Sequence, residues 1–163
     1  MNELVYRNLS EDAKRQICAW KYGGEYDLYN LPAYEEMQVR QIGFMNPKSE
    51  KNYYGFWDES ILVGFVNILE EKEEVFIGIG VNPDLCNKHY GQRMLLIAYE
   101  ISKKLYPNKP LYLEVRTWNT RAVKCYEKAG FRIDGQHDMT IQNASGCICD
   151  RFIKIITIYQ HRI

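Results

Sequence analysis

Two stretches of this sequence hold residues whose types and spacing could do chemistry. The first runs Val81-Asn82-Pro83-Asp84-Leu85-Cys86-Asn87-Lys88-His89-Tyr90-Gly91-Gln92-Arg93, a loop entering a helix that starts near Tyr90. Free backbone N–H groups and the positive end of the helix dipole make such a junction an anion site suited to a pyrophosphate. Lys88 and Arg93 add positive charge. The G-x-x-x-x-G-K-[ST] spacing of a P-loop is missing, as is the G-x-G-x-x-G of a dinucleotide fingerprint. The second stretch is Leu113-Glu114-Val115-Arg116-Thr117-Trp118-Asn119-Thr120-Arg121-Ala122-Val123-Lys124-Cys125-Tyr126-Glu127-Lys128-Ala129-Gly130-Phe131. Glu114 shares a strand face with Tyr112 and Arg116. Asn119 and Tyr126 lie seven apart, two helical turns, and so share a helix face. Read from the residues alone, Glu114 is a proton acceptor or a surface acid paired with Arg116. The plain reading of Tyr126 is a buried ring packing its helix on the sheet.

The elements that must position these groups follow from patterning. A strand is expected over Glu3–Asn8, then a helix over Glu11–Trp20 capped by Ser10 and stopped by Gly23-Gly24. Pro32 suits the first turn of a second helix ending near Gly43. Strands Asn52–Trp57 and Ile61–Leu69 flank a hairpin-like Asp58-Glu59-Ser60, and Glu70–Glu74 is a charged turn. Val75–Val81 puts Val75, Ile77, Ile79 and Val81 on one face and Gly78 and Gly80 on the other. Glycine there marks a bulge or a close approach by backbone or ligand, or a helix packed tightly on the sheet. The long helix, Tyr90–Leu105, carries the stripe Met94, Ile97, Ala98, Ile101 and Leu105. Strand Leu111–Arg116, a helix from Asn119 to Ala129-Gly130, and strands Phe131–Gln142 and Ile148–Tyr159 around an Asn-Ala-Ser-Gly turn complete the order βααβββαβαββ. This is an α/β (α+β) chain with a mixed sheet and helices on both faces.

A length of 163 residues is one domain, 1–163, long enough to bury a core without staples. Lysine plus arginine and aspartate plus glutamate both number 21, so the net charge is zero. That balance argues against a phosphate-backbone footprint and hence against a nucleic-acid partner. No apolar run approaches the ~18 residues that span a bilayer, and Met1–Ser10 lacks the apolar core of a signal peptide. A cytoplasmic protein without a membrane partner is expected. Five scattered cysteines fit reduced thiols. The Cys147-x-Cys149 pair reads more simply as part of a strand than as a metal site, and no metal is expected. His89, His137 and His161 are scattered and suggest no role.

The second stretch strongly resembles the second signature of the GCN5-related N-acetyltransferase (GNAT) superfamily: a strand, Asn-x-x-Ala, then Tyr-Glu-Lys-x-Gly-Phe. The Val81–Arg93 loop resembles that superfamily's acetyl-CoA pyrophosphate loop. The family usually has Gly at the positions of Asn87 and His89 and Arg or Gln at that of Cys86, whereas Lys88 and Gly91 follow its pattern. The resemblance covers nearly the whole chain. It implies a single acyl-CoA N-acyltransferase fold of about seven strands, with acetyl-CoA held between Val75–Val81 and Leu111–Arg116. Ile79, Gly80 and Val81 would bind the pantetheine through their backbone. Cys86, Asn87, Lys88, His89, Tyr90, Gly91 and Gln92 would hold the phosphates. Asn119 would contact the cofactor arm and Tyr126 would protonate the departing thiolate. The chemistry agrees: an ammonium must lose a proton before attacking a thioester, and a tyrosine, protonated at neutral pH, suits the leaving sulfur. Ribosomal-protein alanine N-acetyltransferases are similar at Leu-Glu-Val-Arg, and aminoglycoside N-acetyltransferases place an acid comparably, making Glu114 the candidate base. No covalent intermediate is required, so Cys125 reads as packing.

In this family the acceptor enters near the first two helices and the last strands, here Trp20–Asn30 and Ile141–Cys149. Tyr22, Glu25, Tyr26 and Asp27 would then receive a cationic amine through charge and cation–π contact, or form an exposed loop anchored by aromatics. The expected activity is acetyl transfer from acetyl-CoA to a primary amine of a small molecule, aminoglycoside- or polyamine-like. Alternatives are acetylation of protein N-termini or lysines, and a non-catalytic acyl-CoA-binding module. Many relatives pair their C-terminal strands, which implies a homodimer.

Overall fold

The computed structural model describes residues 2–143 and 146–157, with side chains for all of these except residues 140–150 and 157. In chain order they form β1 (Val5–Asn8), α1 (Glu11–Ala19), a 3-10 segment (Gly24–Tyr29), α2 (Tyr34–Arg40), β2 (Tyr53–Asp58), β3 (Ile61–Glu70), β4 (Val75–Val81), α3 (Tyr90–Leu105), β5 (Leu111–Arg116), α4 (Thr120–Lys128), β6 (Phe131–Asn143) and β7 (Gly146–Thr157). One sheet of seven strands runs β1-β2-β3-β4-β5-β7-β6. All neighbours are antiparallel except β4 and β5.

The expected order stands, and the differences have local causes. Ser10 caps α1, its Oγ accepting from Ala13 N at 3.1 Å. The second helix is shorter than Pro32 and Gly43 suggest. It starts after Ala33 and ends where Gln41 takes a left-handed conformation at φ 49, which stops helical bonding. The aromatic loop is not open coil, since Gly24–Tyr29 coils into a 3-10 helix. The Asn143–Gly146 turn includes Ala144 and Ser145, which lie outside the described residues, as do the side chains of Cys147 and Cys149. Among the described residues Cys18, Cys86 and Cys125 are free thiols, no acidic, histidine or cysteine group is arranged to hold a metal, and no helix is long and apolar enough to cross a membrane.

Helices cover both faces of the sheet. On one, Met94, Leu95, Ala98 and Ile101 of α3 pack with Tyr126 of α4 on Val66, Ile77, Leu113 and Ile155. On the other, Ala13, Ile17 and Met37 pack with Phe44, Trp57 and Leu62.

The two glycines of β4 both line the cleft and meet different neighbours. Pairing with β3 is continuous from Val75 to Val81, so no bulge is present. A Cβ on Gly80 would lie 2.4 Å from the Phe65 ring, so a neighbouring strand's side chain requires glycine there, whereas a Cβ on Gly78 would meet only ordinary contacts, the nearest at 3.6 Å.

One buried charge ties the α1 layer together. The Lys14 ammonium is 2% exposed and donates to Glu11 at 2.9 Å and Glu50 at 2.8 Å. Burial opposes its charge, but hydrogen bonds to Glu50 and Glu11 outweigh that and raise its pKa. The Tyr34 hydroxyl, then Lys14, lower that of Glu11. A group with a depressed folded pKa contributes stability present above the unfolded value and lost as pH falls through the folded one. Lys14→Met should therefore cost about 1–2 kcal/mol at pH 7. Its deficit against the wild type should shrink as Glu11 is protonated, checked by urea unfolding at pH 7 and in acid.

Candidate active site

The site exists because β4 and β5 part company. They pair in parallel only at Val75↔Leu111 and Phe76↔Tyr112. Beyond that point the β5-facing backbone of Ile77–Val81 has no ladder partner, although β4 stays paired to β3 and β5 to β7. Right-handed twist with no further cross-strand bonds lets the ends diverge. A cleft of about 580 Å³ opens between them, lined by residues of α1, β4, α3, β5 and α4.

The phosphate-loop segment keeps its expected shape with unexpected residues. Asn87 and His89 both adopt φ 64, the left-handed region where the resembled family has glycine. Their side chains are exposed, so backbone and not bulk decides how the loop turns. His89 is the N-cap of α3 and makes no side-chain cap bond, leaving the first amides of a sixteen-residue helix uncapped by it. A Cβ on Gly91 would lie 3.1 Å from Cys125 Sγ, so glycine lets α3 and α4 approach here. The Tyr90 hydroxyl donates to Asp58 at 2.6 Å, and Gln92 donates to the Lys128 carbonyl at 3.1 Å. Cys86 Sγ lies 3.7 Å from the Asn82 carbonyl. Arg121, Lys124 and Lys128 bring positive charge to the α4 wall. Unpaired strand amides, uncapped helix amides and flanking cations fit an extended thioester cofactor with a phosphate at one end.

Every residue predicted for cofactor or chemistry except Lys88 lines this cleft: Ile79, Gly80, Val81, Cys86, Asn87, His89, Tyr90, Gly91, Gln92, Glu114, Asn119 and Tyr126. Asn119 is 6% exposed. Its Oδ1 accepts from Ala122 N at 3.2 Å and its Nδ2 donates to the Tyr29 hydroxyl at 3.0 Å, so it caps α4 and fastens the 3-10 segment at once. Tyr126 is 9% exposed, and burial drives its phenol pKa far up. Among the described residues its hydroxyl has no hydrogen-bond partner, although it lines the cleft. Glu114 reaches the cleft from β5. Burial also raises the Cys125 thiol pKa, keeping it protonated and a poor nucleophile.

The four residues predicted for the acceptor separate. Tyr22 lines the cleft, but its hydroxyl donates to the Val81 carbonyl at 2.6 Å, so it spans from the acceptor loop to the cofactor strand. Tyr26 and Tyr29 pack on Trp118, and Arg121 covers Tyr26 at 4.0 Å. Glu25 and Asp27 are exposed and off the cleft wall. Trp20, at the edge of the expected acceptor segment, supplies apolar wall, and sequence reasoning missed Leu31, Phe65 and Phe152, which supply the rest. Their positions depend on packing between distant elements, and no motif signals them.

The profile of the acetyltransferase (GNAT) family matches residues 10–131 of this chain. Among solved structures, a chimera of the spermidine N-acetyltransferase SpeG from Vibrio cholerae and hSSAT is similar at TM-score 0.76 and 18% identity, over 96% of this chain and 95% of that one. An acetyltransferase of the GNAT family from Bacillus anthracis gives 0.75 and 17%, over 96% and 95%. A Bacillus subtilis acetyltransferase in complex with CoA gives 0.62 and 18%, over 94% and 96%. At these identities the likeness is one of fold. No curated protein matches the chain in sequence.

Proposed function

Because the chain belongs to the acetyltransferase (GNAT) family and is an acetyl-CoA-dependent N-acetyltransferase, we propose that it acetylates the primary amine of a small, cationic molecule. One observation carries the reading: the Glu114 carboxylate and the Tyr126 hydroxyl enter one cleft from β5 and α4, beside the unpaired amides of β4.

Bound acetyl-CoA supplies an activated thioester with a thiolate leaving group. The backbone of Ile79, Gly80 and Val81 would hold its arm through the unpaired amides of β4. The amides of Asn87 to Gln92 would hold the phosphates, with the exposed Lys88 adding positive charge from outside the cleft lining, and Asn119 would border the arm at α4. Glu114 takes the proton of the acceptor ammonium, freeing the lone pair for attack. Tyr126 donates its phenolic proton to the departing sulfur. Proximity in the cleft makes the transfer direct, without an acyl-enzyme.

The acceptor end is supported by one carboxylate, Glu114, which shares the cleft with the rings of Trp20, Tyr22, Tyr29 and Phe152. Carboxylate and aromatic faces together suit an ammonium. The SpeG chimera, named for spermidine, shares the fold. A panel of spermidine, an aminoglycoside, a free-N-terminus peptide and a lysine peptide, read by thiol release, tests the proposal. Turnover on small cationic amines is expected. Turnover on peptides alone, or on none of the four despite bound acetyl-CoA, would overturn it.

A further inference from the structure

Glu114 has a neighbour with no part in the reading above. His137, on β6, places Nε2 at 3.4 Å from Glu114 Oε1. The two residues sit on strands separated by β7, so both side chains reach across it. The register explains how. Glu114 pairs with Lys154, and Lys154 with Gly135, whose missing side chain leaves open space. One step along, Arg116 pairs with Phe152 and Phe152 with His137. The imidazole lies over the Phe152 ring, with centroids 6.3 Å apart and planes at 24°. That aromatic shelf turns the imidazole towards Glu114.

The charges around the pair leave it chemically available. Lys154, directly opposite Glu114, instead gives its ammonium to Glu74 at 2.8 and 2.9 Å and covers the Tyr112 ring at 4.7 Å. Arg116 stacks on Phe152 at 5.1 Å and Tyr29 at 5.4 Å. On β6 the adjacent Asp138 is engaged by Arg151 at 3.1 Å. Among the residues whose side chains are described, the charged groups facing the imidazole from β5 and β7 are Glu114, Arg116 and Lys154. Glu114 lines the cleft and His137 does not, and the His137 side chain is 39% exposed. The pair spans from the cleft to solvent.

We propose that His137 and Glu114 form a relay that carries the acceptor's proton out of the cleft. The inference rests on the reading of Glu114 as base. In each turnover one ammonium N–H breaks and one O–H forms on Glu114. That proton moves to His137 Nε2, the ring releases its Nδ1 proton to water and the carboxylate is restored; exchange of the ring protons with solvent then returns the Nδ1–H tautomer for the next turnover. As the amine nitrogen bonds to the acetyl carbon and the carbon–sulfur bond breaks, Tyr126 supplies the sulfur's proton, the nitrogen gives up its second proton to solvent, and Tyr126 regains one from solvent. His137 touches no substrate; it is a positioning residue acting through Glu114. A protonated imidazole has no free nitrogen to take the proton, so the relay requires the neutral ring.

The test is a pH profile of kcat and KM for the wild type, His137→Gln and Glu114→Gln, with the best acceptor of the amine panel and with and without added imidazole. His137→Gln should lower kcat about tenfold at neutral pH, leave both KM values within about twofold, lose the acid limb and regain rate with imidazole. A His137→Gln profile matching the wild type while Glu114→Gln loses kcat overturns the relay and leaves the base standing. Full kcat in Glu114→Gln overturns the base reading, and the relay with it. A loss in His137→Gln that imidazole does not relieve, with the wild-type acid limb kept, assigns His137 a structural role and overturns the relay.

Discussion

Tyr126→Phe lowers kcat by about two orders of magnitude and leaves KM for acetyl-CoA and amine nearly unchanged. The substitution keeps the ring that packs among Leu113, Ala129 and Phe131 and removes one hydroxyl. That hydroxyl makes no hydrogen bond among the described residues, so its loss leaves no orphaned partner and the fold should stand. Burial drives the phenol pKa up, with lesser contributions from Cys125 and Tyr29. The group is therefore protonated throughout the working range, and its loss should lower the rate evenly from pH 7 to 9. A tyrosine that only packs its helix would give a variant within about threefold of the wild type. Stopped assays of thiol release at several pH values, beside a melting curve of the variant, decide between the two.

The second large effect concerns the phosphate loop. At about 100 times its Kd, acetyl-CoA should stabilise the wild type by roughly 2.7 kcal/mol, a rise of several degrees in Tm, whereas NAD and ATP should not. His89→Val should abolish most of that rise. His89 sits at φ 64, and a β-branched residue there costs about 1–2 kcal/mol. The loop should relax to another turn and its amides lose their common aim. His89→Gly is the control: glycine takes the same conformation freely, so acetyl-CoA should bind at least as well as to the wild type. If both variants bind like the wild type, the loop amides do not hold the phosphates.

These two predictions draw on different information. The role of Tyr126 comes from the family resemblance, which a local pattern carries: Asn119, Ala122, Tyr126, Gly130 and Phe131 fall within one helix-turn-strand unit. Helix and strand periods set which of their side chains share a face, so spacing alone made the grouping legible. The loop reads poorly in sequence, since Asn87 and His89 replace the expected glycines. Only the backbone shows that both residues adopt the glycine conformation. Side-chain identity is a weak guide to φ for asparagine and histidine, which tolerate the left-handed region better than most.

The acceptor loop shows the limit most clearly. Tyr22, Glu25, Tyr26 and Asp27 look alike as aromatics and acids in a row. The 3-10 coil sends Tyr22 to the Val81 carbonyl, Tyr26 to Trp118, and both acids to the surface. That sorting depends on what β4 and α4 present to the loop, which lies far off in the chain.

By itself the sequence determined the order of elements, the exact spans of β4, α3 and β5, and the grouping of Glu114, Asn119 and Tyr126 near one junction. Periodicity and turn residues act over a few positions and are written locally. Tertiary structure alone decided where β4 and β5 separate, that the Phe65 ring fills the space over Gly80, and that His137 meets Glu114 across β7. Each depends on register and twist between strands distant in sequence, and one residue of slip would turn every one of those side chains to the other face.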